Sequence, residues 1–168
     1  MGLAGSLPFA GCVAMSILFG YLSDRWIRGG ADAGRTRRGI LLSGQLVSVL
    51  TLPLVTVRDP AASLFFMVIA LAGLGISTSN LWALTQTLAG PGAAGRWTGA
   101  QNGFGNLGGV VAPIVTGAIV GSTGSFFWAF IAATVCLILS AFCYSVVLGP
   151  VRQVFKQKPL EMQPRHSL

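Results

Sequence analysis

Side chains able to hold a polar molecule sit in two short runs: Ser77, Thr78, Ser79 and Asn80, with Trp82 and Gln86 further along, and Gln101, Asn102 and Asn106. Each run lies inside a long stretch without charged residues. Hydroxyl and amide groups in such a setting need partners, because an apolar surrounding makes them costly to leave unpaired. Two readings stand at this level: the groups bond one helix to another, or they converge on a solute. Acid–base and nucleophilic chemistry have no foothold. No Asp or Glu occurs between Asp59 and Glu161, His166 has no partner ligand, and Cys12, Cys136 and Cys143 lie in apolar runs without a CxxC pair. Neither an enzyme, a metal site nor a cofactor is expected.

Gly103-Phe104-Gly105-Asn106-Leu107-Gly108 matches the GxGxxG pattern that cradles a dinucleotide pyrophosphate. The pattern works only after a strand and with an acid ~20 residues on to hold the ribose, and no such acid is present. Close helix packing explains the glycines better. Gly99 and Gly103, Gly105 and Gly109, and Gly117 and Gly121 repeat at the small-xxx-small spacing that lets helix backbones approach in lipid.

The elements that must carry these residues follow from where charge is absent. The chain is 53% hydrophobic and 9% charged, and its fifteen charged residues are confined to short connections and the tail. Residues 60–95 and 97–151 contain no Asp, Glu, Lys or Arg, and each stretch exceeds the ~20 apolar residues that span hydrocarbon. Five spans are expected, at about 3–22, 39–57, 62–88, 97–120 and 126–148, forming one all-α transmembrane bundle over residues 1–148. Gly90-Pro91-Gly92 and Gly121-Ser122-Thr123-Gly124-Ser125 break the chain between spans. A β-barrel is excluded, since polarity does not alternate along the stretches. Residues 149–168 read as a disordered, basic cytoplasmic tail. Met1 to Gly5 lacks the positive start of a signal peptide.

The net charge of +7 does not indicate nucleic-acid binding, because the basic residues form no continuous stripe. It indicates topology. Arg25, Arg28, Arg35, Arg37, Arg38, Arg96 and the four basic residues of the tail fall on one side of the five spans, and only Arg58 falls on the other. The positive-inside rule then sets the N-terminus outside and the C-terminus in the cytoplasm. Trp26, Trp97 and Trp128 lie at span ends, where indoles anchor to the interface of the bilayer.

Gly20-x-x-x-Asp24-Arg25-x-x-Arg28 resembles the G-x-x-x-D-R-x-x-R loop signature of the major facilitator superfamily. An acid among bases at a helix end can act as a latch that breaks and re-forms as helices rock. A longer segment, from Trp82 through Arg96-Trp97-Thr98-Gly99-Ala100-Gln101-Asn102 to Pro113 and then Thr123 to Trp128, is similar to helices ten to twelve of the anion:cation symporter family. The bacterial members of that family carry hexuronates, glucarate, galactonate and similar organic anions.

The resemblance implies that Ser79 and Asn102 contribute to a substrate site, with Asn80 and Gln101 beside them. Leu81 stands where relatives have a second polar residue, and Val120-Gly121-Ser122 lacks a charge pair that often precedes Thr-Gly.

What the resemblance implies overall is a partial major facilitator fold, the incomplete C-terminal half comprising helices eight to twelve. A complete fold has twelve helices in two halves with the solute between them. The expected role is therefore the C-terminal portion of a cation-coupled symporter for small organic anions, in the bacterial inner membrane. A missing N-terminal half, in cis or in trans, would supply the rest. The alternative is a small autonomous membrane protein acting as an accessory subunit. Proton coupling needs an ionisable group that changes charge within the membrane, and none of the five expected spans contains Asp, Glu, His, Lys or Arg. The purified chain reconstituted alone is expected to show no uptake driven by a pH gradient; such uptake would refute this reading.

Overall fold

A computed structural model describes residues 2–148 of the chain; the tail expected at 149–168 lies outside the described residues. The described residues form five long helices, each long and apolar enough to cross a membrane. The fold class is thus all-α and polytopic.

Helix α1 covers Gly2–Arg28 and runs past the stop expected at Ser23-Asp24-Arg25. None of those residues breaks a helix, and Arg25 and Arg28 in the last turn suit the negative end of the helix dipole. The break comes instead at Gly29-Gly30, where Gly30 adopts φ 97°, a conformation that favours glycine. Helix α2 covers Ala33–Thr51 and starts earlier than expected because Asp32 caps it, its Oδ1 accepting from the Arg35 amide at 2.8 Å. A 3-10 turn, Leu52–Thr56, follows at Pro53.

Helix α3, Pro60–Ala89, repeats that logic: Asp59 accepts from the Ala62 amide at 2.9 Å and Pro60 opens the first turn. Gly90 ends it. Helix α4, Ala94–Thr123, continues through Gly121 and stops at left-handed Gly124, φ 65°. Helix α5 covers Phe126–Phe142 behind a Ser125 cap and ends in a π-helical turn, Cys143–Val147.

Helix α3 is the centre of the bundle. It packs along α1 on one side and α2 on the other, while α5 leans on α2, on α4 and on the 3-10 turn. Lipid tails are as apolar as leucine, so hydrophobicity gives helices little reason to associate; close contact and hydrogen bonds must do it. The α2–α3 seam does both. A Cβ built on Gly44 would lie 2.5 Å from the Gly73 carbonyl oxygen, and one on Gly73 would lie 2.7 Å from the Gly44 carbonyl oxygen. One helical turn away on each side, a serine completes the exchange. Ser48 Oγ donates to the Ala70 carbonyl at 2.8 Å, and Ser77 Oγ donates to the Leu41 carbonyl at 2.8 Å. The α1–α3 contact is closer still, since a Cβ on Gly75 would lie 2.1 Å from the Cys12 carbonyl oxygen.

Gly99, Gly103, Gly105, Gly109, Gly117 and Gly121, expected to pack helices, meet no other helix among the described residues. Among the described residues, no atom beyond the neighbouring backbone of α4 itself lies within 4 Å of a Cβ built on any of the six, and α4 buries no residue. The reason is position: α4 lies at the margin of the bundle and meets α3 near the hairpin that joins them, where Thr85 bonds Gln101. The close approaches use Gly44, Gly73 and Gly75 instead.

Gly75→Leu is expected to unfold the bundle or lower its stability by ~3 kcal/mol or more, at or above the usual range for overpacking. Gly103→Leu, with open space around it, should stay within ~0.5 kcal/mol of the parent; unfolding midpoints in denaturing detergent compare the two. Ser48→Ala and Ser77→Ala should each cost about 0.6–1.7 kcal/mol, the range of intramembrane hydrogen bonds, in the same assay.

Candidate functional site

The polar residues of α3 divide according to the helix face they occupy. Gly75, Ser79, Trp82 and Gln86 follow one another at spacings that keep them on one face. Along that face the neighbour changes from α1 to α4. Gly75 receives the Cys12 carbonyl, and Ser79 sits under Gly20, whose built Cβ would lie 3.5 Å from the Ser79 Cβ. One turn further, Trp82 and Gln86 line an open pocket of about 440 Å³ with Thr98, Gly99 and Asn102 of α4.

The opposite side of α3 holds the bundle together. Ser77 bonds the α2 backbone, and buried Asn80 donates from Nδ2 to the Phe19 carbonyl at 3.5 Å and to Ser79 Oγ at 3.4 Å. Thr78 donates to the Leu74 carbonyl of its own helix.

The four candidate binding residues are therefore not brought together. Asn102 lines the pocket. Gln101 faces α3 and accepts from Thr85 Oγ1 through its Oε1, Ser79 lies beneath α1, and Asn80 is a helix-to-helix bond. Trp82, Gln86 and Thr98 complete the pocket in their place. Their signal was present in the spacing: Trp82 and Gln86 follow Ser79 at i+3 and i+7, and Thr98 precedes Asn102 at i−4. The pocket offers the amide groups of Gln86 and Asn102, both exposed, beside one indole. Thr98 Oγ1 is buried and has no hydrogen-bond partner among the described residues. An amide both donates and accepts, so a polyhydroxylated solute can be met from either side. No charged side chain lines the pocket.

The loop signature lies on the last turns of α1 rather than in a loop. Gly20 marks its close approach to α3, and Asp24 reaches the start of α2, where Oδ1 lies 3.4 Å from Arg37 Nη2. Arg37 Nη1 donates to the Ala83 carbonyl of α3 at 2.8 Å and also to Thr87 Oγ1. One guanidinium thus ties α1, α2 and α3 at a single end of the bundle, on the side of the α1–α2 turn. Arg25 is exposed, and Arg28 Nε donates to the Asp24 carbonyl at 3.3 Å, so neither signature arginine is the partner of the acid. Sequence reading gathered Arg37 only among the loop cations. Its distinguishing feature is the fold: it is 19% exposed where Asp24 is 62% exposed. A pair that open contributes ~0–1 kcal/mol, and the hydrogen bonds to α3 are the firmer part of the clamp.

Comparison with known proteins accounts for the whole chain. A probable galactarate/D-glucarate transporter of Escherichia coli is 30% identical over 162 residues, covering 96% of this chain and 36% of that protein. One of Bacillus subtilis bearing the same name is 30% identical over 168 residues, covering 99% and 36%. A D-galactonate transporter of Escherichia coli O6:H1 is 28% identical over 153 residues, covering 91% and 35%. The chain thus spans about a third of the length of these relatives. The model of the Major Facilitator Superfamily matches residues 1–167, so that the chain belongs to the Major Facilitator Superfamily.

Proposed function

We propose that the chain is the C-terminal portion of a secondary active transporter for small organic anions, sugar acids or related carboxylates, cation-coupled in the full-length protein and not competent alone. The observation that carries this reading is the open pocket of Trp82, Gln86, Thr98, Gly99 and Asn102. Its amides match the hydroxyls of a sugar acid, and its indole matches the apolar face of the carbon chain. The names of the relatives, transporters of galactarate, glucarate and galactonate, support the same class of solute.

The carboxylate needs a counter-charge that the pocket lining lacks, and a second, N-terminal half in cis or in trans would supply it. The uncovered face of α4 favours such a partner: Gly99, Gly103, Gly117 and Gly121 share it with Asn102 and Asn106. The packing role of these glycines is proposed for that interface. The asymmetry of basic residues supports an external N-terminus and a cytoplasmic C-terminus in a bacterial inner membrane.

The test is uptake of labelled glucarate or galactonate by the transporter assembled with its N-terminal half. Asn102→Ala and Gln86→Ala should each raise KM about three- to tenfold, the worth of one lost hydrogen bond. Ser79→Ala, held under Gly20, should change uptake less. Unaltered kinetics in both amide variants would reject the pocket as the substrate site. Stable assembly of the chain into a defined oligomer with no other half would favour the accessory-subunit reading.

A further inference from the structure

Helices α1 and α2 both lean on α3 and touch one another little. An open groove of about 490 Å³ remains between them, lined by Phe19, Trp26, Arg35, Gly39, Ile40 and Ser43 among others. We propose that this groove is a binding site for an anionic phospholipid, taken from the leaflet on the side of the α1–α2 turn.

The chemistry of the groove changes along its length in the order a phospholipid requires. Arg35, Gly39 and Ser43 lie four residues apart on α2 and so form one stripe down the helix. At the mouth, Arg35 and Trp26 are exposed, Trp26 to 50%. A guanidinium grips phosphate through two parallel hydrogen bonds, and an indole prefers the headgroup level of a bilayer. Deeper in, Gly39 leaves a slot, with no atom within 4 Å of a Cβ built there. Phe19 and Ile40 give the slot apolar walls. Ser43 is no obstacle to an acyl chain, because its hydroxyl already donates to the Ile40 carbonyl at 2.8 Å.

The mouth selects for negative charge. Five arginines and two aspartates occur from position 24 to position 38. Both acids are engaged, Asp32 at the α2 cap and Asp24 with Arg37. Among the described residues, Arg25, Arg28 and Arg35 have no acidic partner. Five arginines against two aspartates leave the mouth positive, and a basic pocket between transmembrane helices suits an anionic headgroup. The apolar depth distinguishes a lipid from free phosphate or a soluble anion.

The experiment is native mass spectrometry of the full chain purified in mild detergent with equimolar phosphatidylglycerol and phosphatidylcholine. The parent should retain phosphatidylglycerol about tenfold over phosphatidylcholine, equivalent to 1.4 kcal/mol. Arg35→Gln should bring the ratio close to one. Gly39→Leu, whose Cβ has open space around it, should fill the slot and reduce retention of both lipids while leaving the unfolding midpoint unchanged. Equal retention of the two lipids by the parent would overturn the proposal, as would a preference that survives both substitutions. Displacement of the lipid by an equal concentration of glycerol phosphate would also overturn it, by showing an anion site indifferent to the acyl chains. If Gly39→Leu fails to fold, the parent ratio and Arg35→Gln still decide.

Discussion

In a solvent as apolar as its own side chains, a helical bundle is held by how closely its backbones can touch. Here that constraint is met where α1 and α2 press on α3, and at the α2–α3 seam by reciprocal hydrogen bonds as well. Gly44 and Ser48 on α2 and Gly73 and Ser77 on α3 form matching Gly-x-x-x-Ser pairs, and each serine donates across the seam to the other helix, to the carbonyls of Ala70 and Leu41. Because a glycine sits beside each serine, the hydroxyl can reach a carbonyl that belongs to the opposite helix. The contact fixes the rotation of α3 about its own axis, and every other polar residue of that helix takes its direction from it.

With α3 so oriented, its remaining faces are assigned. Gly75 and Ser79 turn to α1, Asn80 is buried against the Phe19 carbonyl, and Trp82 and Gln86 are left for α4. At one end, Arg37 binds the last turns of α3 while holding Asp24 of α1. The clamp and the pocket thus adjoin the same segment, Trp82 to Thr87. A shift of α3 that loosened the Ala83 and Thr87 bonds would also move the indole and amide of the pocket, so the clamp and the pocket are mechanically coupled through one helix end.

The spans were legible in the sequence because charge marks their limits, and in lipid a misplaced charge is expensive. The helix ends were less so. Asp24 and Arg25 looked like a stop yet continue α1, and Asp32 begins α2 well before the uncharged stretch does, since a capping side chain acts on the backbone and is blind to hydropathy. The pocket was half legible. Asn102 lines the pocket and Asn80 bonds a backbone carbonyl of α1, a division hidden in the sequence because an amide that bonds a carbonyl and one that faces a cavity read alike there. Glycine spacing is ambiguous in the same way: six on α4 have the spacing of an interface yet meet no other helix among the described residues, whereas Gly44, Gly73 and Gly75 make the close contacts.

Helix α4 buries no residue and bonds to α3 through Gln101, near its start. Its far end is joined to α5 through Gly124 and Ser125, so the helix is held at both ends while its side chains stay open along the length between. From Gln101 to Thr123 that open length is about 33 Å at 1.5 Å per residue, enough to cross the ~30 Å hydrocarbon core of a bilayer.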